Sequence, residues 1–310
     1  MATAMKPTDE DLEDRVSRLL VGAVDMHCHS GPSVMPRELN HIEALEDVSA
    51  AGFRAMLIKD HYYSATPITE MLNVTHKHLN VELFSGVPLN NATGGFNKFA
   101  VDHGAALGAK LVWMPTFSSK NHYESDHGIK AGFPHTTKKM LQFDPLTPID
   151  DNGQVKDEVK EILDLVAQHN LILSGGHLHV TEIIKVFEEA KKRGVKKLLV
   201  NHPTFIIDAG YDEIRFLARE MGAWIEHSFC MYIPIKRRPE PMYPPEELDR
   251  LIQTATVDKT ILASDLGQAG NDRPVAGFRN VVKTCIKLGY SDEDIRKMIS
   301  GNPLKLLEID

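Results

Sequence analysis

The chain has 310 residues, 42% of them hydrophobic and 25% charged, and a formal net charge of -8. That balance is ordinary for a folded globular protein and disfavours a nucleic-acid or anionic-membrane surface. No apolar run approaches the ~18 residues of a membrane helix, the acidic stretch from Asp9 to Asp14 offers no signal-peptide core, and Cys28, Cys230 and Cys285 lie too far apart to suggest a disulfide framework. The expectation is a reduced, cytoplasmic protein without nucleic-acid or membrane partners. A homo-oligomer is compatible with all of this.

The spacing predicts an N-terminal helix within residues 1–20, capped by Thr8 and acidic in its first turn. Apolar β-like runs then alternate with helical stretches. The first run is Leu19 to Met26, leading to His27 and His29. A helical stretch from His41 to Ala51 stops at Gly52. Further runs follow at Phe53 to His61, Val81 to Val87, Lys110 to Pro115, Leu171 to His177, Lys197 to His202, Ala223 to Ser228 and Thr260 to Asp265. A helix over Asp292 to Ile299 and a closing turn or short helix from Gly301 complete the chain.

Most strand ends recur at intervals of about 25 to 37 residues, enough for a loop, a helix and a strand. Such alternation implies parallel βαβ units, and eight of them imply an α/β fold, the (β/α)8 TIM-type barrel, as one domain over 1–310. An open doubly wound sheet is the alternative, but its Gly-x-Gly-x-x-Gly loop is absent. Residues 116–156 break the rhythm with about forty extra residues after strand four. A loop this long leaving a strand's C-terminal end is expected to be a lid over the site.

Those strand ends also carry the chemistry. His27 and His29 are two apart, so in a strand both imidazoles face one side, a half-site for a divalent transition metal. His61, His177, His202 and Asp265 end later runs on the same barrel rim. Alternation places Leu173 and Gly175 on the face of His177, Leu198 and Val200 on that of His202, and Ile261 and Ala263 on that of Asp265. Glu226 and His227 point to opposite faces, so one at most enters. Neutral imidazoles with a carboxylate suit zinc; manganese, iron and nickel also fit.

With these residues in this order, the chain resembles the amidohydrolase superfamily of metal-dependent hydrolases over about residues 21 to 308. That family's markers are His-x-His after strand one, single histidines after strands five and six and an aspartate after strand eight. The ending Gly-Asn-Pro-Leu-Lys-Leu-Leu resembles it too. The resemblance implies metal ligands at His27, His29, His177, His202 and Asp265. It makes Asp265 the general acid/base, with His202 completing the metal shell or stabilising an oxyanion. Strand four lacks the bridging lysine or glutamate of binuclear members. Lys59 is the one lysine with inward parity, either carbamylated or paired with a carboxylate. Lys-Asp-His after strand two is similar to the polymerase-and-histidinol-phosphatase family, which brings His61 toward the metal; that family's late Asp-x-His is missing here.

The reaction expected is metal-dependent hydrolysis of an amide, lactone or ester bond in a small molecule. Phosphoester hydrolysis, decarboxylation on one metal, and a metal-binding barrel without catalysis are the alternatives. His122, His179 and Arg37 are candidate substrate contacts. Loop residues such as Asn90, Phe117, Phe133, Met231 and Arg273 would set specificity, and Asp25 would orient a ligand.

Overall fold

The computed structural model describes residues 9–125, 136 and 138–310. Every apolar run yields a strand, each shorter than its run: β1 (Val24–Cys28), β2 (Ala55–Ile58), β3 (Glu82–Phe84), β4 (Gly86–Pro88), β5 (Leu111–Trp113), β6 (Ile172–Ser174), β7 (Lys197–Asn201), β8 (Trp224–Ser228) and β9 (Thr260–Ala263). All pairings are parallel, in the orders β1-β2-β3 and β4-β5-β6-β7-β8-β9.

The run at 81–87 is two strands divided at Ser85, because the segment changes partner there. β3 pairs with β2 and β4 with β5. Ser85 Oγ donates to the Ile58 carbonyl at 2.8 Å, and its own carbonyl accepts Lys110 N at 3.0 Å. At the far edges, Asp265 N donates to His27 O and His29 N to Leu266 O, both at 2.8 Å. The strand-one run starts later than predicted. Leu19 and Leu20 end the helix Asp9–Leu20, and Gly22 turns the chain at φ 82° before β1 begins.

Helices follow the strands. His41–Ala50 begins at a capping box the sequence reading overlooked: Asn40 Oδ1 accepts Ile42 N and Glu43 N, and Glu43 returns a bond to Asn40 N. Such a cap contributes about 1 kcal/mol, and here it fixes the loop that follows the His-x-His strand.

Two buried clusters divide the interior. Val24, Met26, Ala55, Leu57, Phe84, Leu111, Trp113, Ile172, Leu199, Trp224, Ile261 and Ala263 pack together inside the strands, closed below by Leu306 and Leu307. The remaining apolar strand residues, among them Met56, Ile58, Val112, Ile225 and Leu262, pack outward against the helices. Trp113 alone, 1% exposed, removes enough apolar surface to contribute on the order of 4–6 kcal/mol.

This division corrects the parity expected for two strands. Leu173, Leu198 and Val200 belong to the outer cluster, whereas Ile172 and Leu199 face inward. His177 and His202 still reach the rim because regular strand geometry ends before them. Gly176 has φ +60°, and its missing Cβ would lie 2.2 Å from the Met114 carbonyl oxygen. His202 itself has φ 33°. β1 uses a third device, an extra residue between Asp25 and Cys28 relative to β2. This bulge keeps Met26 in the interior cluster and turns His27 and His29 toward the rim above it.

Of the predicted lid, residues 126–135 and 137 lie outside the described residues, as do Thr8 and Phe133. Its described parts touch three rim loops: Thr136 Oγ1 donates to Val34 O, Phe143 stacks on Tyr62, and Asp144 N donates to Asn91 Oδ1. Among the described residues no helix is long and apolar enough to cross a membrane.

Candidate metal centre

β1 and the turn after β9 bring together His27, His29 and Asp265, whose donor atoms all lie within 4.8 Å of one another. Asp265 Oδ1 is 3.1 Å from His29 Nε2 and 3.4 Å from His27 Nε2. Five imidazoles close a ring around the rim. Successive centroids are 5.1 Å apart for His27–His29, 5.2 Å for His29–His61, 5.8 Å for His61–His177, 5.0 Å for His177–His202 and 6.2 Å for His202–His27. All five are buried, and packing alone does not account for so many polar rings in one place.

The rings are held from behind. His27 Nδ1 lies 2.9 Å from Glu226 Oε1, and His202 Nδ1 lies 3.2 Å from the Phe205 carbonyl. An acceptor there keeps the proton on Nδ1, which leaves the Nε2 lone pair facing the centre. His61 Nδ1 is 2.9 Å from Thr116 Oγ1. His29 Nδ1 has no partner among the described residues.

Burial presses the imidazoles toward the neutral form. His27 and His29 fall to about 3, His202 to about 4, and His61 and His177 well below the usual value. For Asp265 burial acts upward, but His27 and His29 outweigh it and hold the carboxyl well below the usual range. Neutral imidazoles beside an ionised carboxylate are the protonation state in which such groups bind a metal. The nitrogen–nitrogen–oxygen set, the orphaned His29 Nδ1 and the tautomers fixed at His27 and His202 therefore fit a divalent ion of zinc type.

Lys59 does not form the carboxylate pair anticipated as one alternative. Among the described residues no carboxylate lies within 4.0 Å of it. Its Nζ is 3.2 Å from His27 Nε2, and burial lowers its pKa to about 8. Asp25 acts on backbone rather than on a ring. It accepts His27 N at 3.1 Å and Ser264 N at 3.0 Å, tying the peptides next to the two ligand positions.

Glu226, left open in the sequence, enters the site. It also accepts Ser228 Oγ and is bonded to Asn201, and burial raises its pKa to about 7. His227 faces the other way, with neither ring nitrogen partnered among the described residues. Thr116, Asn201 and Ser264 had no sequence signal. Asn90, anticipated in the pocket, instead bonds His61 O, Thr116 and Ser118 N. Arg273 pairs with Asp47 at 3.0 Å. His122 sits behind His177, Nδ1 to Nδ1 3.1 Å. His179 caps the helix Val180–Lys192 by accepting Thr181 N, and it is not among the residues lining the cavity. That cavity opens over His29, His61, His177, His202 and Asp265, with Arg37 in its wall.

Parallel strands followed by helices, with ligand-type residues gathered at one end, make a fold that solved structures share. An amidohydrolase from Pseudomonas aeruginosa is 12% identical with a TM-score of 0.65, covering 96% of this chain and 98% of that one. The probable dipeptidase PvdM from Pseudomonas aeruginosa is 11% identical, TM-score 0.63, covering 97% and 98%. A 2,6-dihydroxybenzoate decarboxylase, bound to 2,6-dihydroxybenzoate, is 10% identical, TM-score 0.57, covering 93% and 100%. At these identities the likeness is one of fold. No curated protein matches the sequence. Residues 22–226 match the family described as "Family of unknown function (DUF6282)", and the chain belongs to that family.

Proposed function

We propose that the chain is a metal-dependent hydrolase of a small molecule, folded as one (β/α)8 barrel, and that it cleaves an amide, lactone or ester bond. The observation that carries this reading is the cluster of His27, His29 and Asp265, two of which, His29 and Asp265, line a cavity. His27, His29 and Asp265 would hold the ion, with His202, His177 and His61 around it. Bound there, a divalent metal supplies Lewis acidity and acidifies a water.

Asp265, its side chain 16% exposed, would hold the general acid/base role, taking up a proton at its carboxylate and handing it to the leaving group. His202 serves better as a ligand than as an oxyanion donor, because its Nδ1 proton is directed at Phe205 O. The Lys59 ammonium lines the cavity and, 3.2 Å from His27 Nε2, is a cation available to charge developing on the scissile group. Glu226 and Asp25 position His27, the first through its ring and the second through its backbone.

Decarboxylation on a single metal is the second reading, favoured because one three-donor cluster is found among the described residues and a decarboxylase shares the fold. The resemblance to the polymerase-and-histidinol-phosphatase family finds no counterpart among these neighbours, although a lactonase template engineered for organophosphate hydrolysis shares the fold. Elemental analysis of the purified, unchelated protein tests the proposal. One zinc or other divalent transition ion per chain is expected. No retained metal, even after reconstitution, would leave a barrel that does not catalyse by this route.

A further inference from the structure

We propose that the substrate carries a carboxylate and that Arg37 is its anchor. This takes the cavity above as the substrate site but does not depend on the metal.

Arg37 lies in the loop after β1, its side chain 4% exposed. Nη2 is engaged, 2.8 Å from Asp60 Oδ2 and 3.2 Å from Ser33 Oγ. Nε and Nη1, three N–H bonds in all, are buried without a partner among the described residues. Leaving a buried donor unpaired costs roughly 1–3 kcal/mol, more for a charged group. Asp60 therefore locks the guanidinium in place with most of its donors unused at a cavity wall. A guanidinium offers its N–H bonds in one plane, which matches the two coplanar oxygens of a carboxylate.

The surroundings agree in sign and shape. Among the described residues the cavity is lined by four cationic side chains, Arg37, Lys59, Arg237 and Arg238, against one acidic side chain, Asp265, in a protein of net charge -8. Arg238 Nε is buried and unpartnered as well. A low-dielectric cleft of one sign concentrates the opposite charge. Beside the histidines, Gln268 and Asn271, the wall also has an apolar part, including Met35, Phe117, Phe205, Ile235 and Met242. An aryl or branched alkyl carboxylate satisfies both parts.

Calorimetric titration with benzoate tests this, on the protein as purified and again after chelation, beside the uncharged benzamide and the tetrahedral anion phenylphosphonate. Saturable benzoate binding is expected, with benzamide at least tenfold weaker and chelation leaving the benzoate contact in place. Arg37→Lys keeps a cation for Asp60 but removes the planar donors, and should weaken benzoate at least tenfold. Equal binding of benzamide, or an unchanged affinity in Arg37→Lys, overturns the proposal. So does binding of phenylphosphonate alone, or of none of the three. Loss of benzoate binding on chelation would assign the carboxylate to the metal instead. Should Arg37→Lys fail to fold, the benzamide and chelation comparisons still decide. A protein that takes up no metal even on reconstitution, yet binds benzoate through Arg37, would refute the hydrolase reading and keep this one.

Discussion

Glu226 Oε1 and His27 Nδ1 lie 2.9 Å apart, both side chains essentially free of solvent, on β8 and β1. This contact decides which nitrogen of His27 faces the centre. The carboxylate accepts the Nδ1 proton, and Nε2 is left as a lone-pair donor beside Asp265. Glu226→Gln keeps the shape and removes the charge that makes the ring a better ligand. Metal affinity should fall about ten- to hundredfold with the fold intact, as read by competition with a chromogenic chelator. An unchanged affinity would show that Glu226 is a packing residue.

Asp265 has one oxygen between two imidazoles and φ 49°, a left-handed conformation few non-glycine residues adopt. Its side chain, not its backbone, is what Asp265→Asn alters. The amide oxygen still reaches both rings, so metal should remain bound at stoichiometric loading. Proton transfer should be lost, lowering kcat by about 10²–10⁴-fold once a substrate is in hand. Full turnover in the variant would move the acid/base role elsewhere.

The donors were legible in the sequence because ligand-type residues closed one apolar run after another. How they reach a common point was not. His177 and His202 follow strands whose inner faces carry Ile172 and Leu199, so strict alternation continued past the strand ends would turn both histidines outward. Only Gly176 at φ +60° and His202 at φ 33° bring them in. Glu226 and His227 were indistinguishable for a related reason. Trp224 and Ile225 are both apolar, and nothing local says which face is the interior. Thr116, Asn90 and Asn201 act through hydrogen bonds between strands far apart in the chain, and a linear pattern does not encode such contacts.

His227 gives a prediction about acid stability that is independent of substrate. It is fully buried, and burial lowers its pKa from 6.5 to about 3. The unfolded chain therefore binds a proton that the native state refuses. The contribution is fully present above about pH 6.5 and is lost as pH falls from there toward about 3, by about 1.4 kcal/mol per pH unit. In chelated protein, His227→Leu should make the decline in unfolding free energy shallower by about that amount between about pH 5.5 and pH 4. Urea denaturation at several pH values reads it. Identical slopes for the two proteins would mean that His227 is protonated in the native state.

Gly267 tests whether the site requires an exact backbone. Two residues after Asp265, it has φ +106°, and an added Cβ would lie 2.3 Å from the His29 carbonyl oxygen and 2.8 Å from its carbon. Both atoms are main chain, so no side-chain rotation relieves the overlap; His29 has to move. Gly267→Ala should lose about 2 kcal/mol or more of stability and about tenfold in metal affinity, because the displaced residue belongs to the donor cluster. Gly270→Ala separates strain from displacement. Gly270 also has positive φ, +80°, but nothing lies within 4 Å of its missing Cβ. That variant should lose about 1 kcal/mol from backbone strain alone and bind metal as the parent does. If Gly267→Ala also binds metal normally, the end of β1 yields without moving the His29 ring, and the centre tolerates more backbone freedom than its close packing implies.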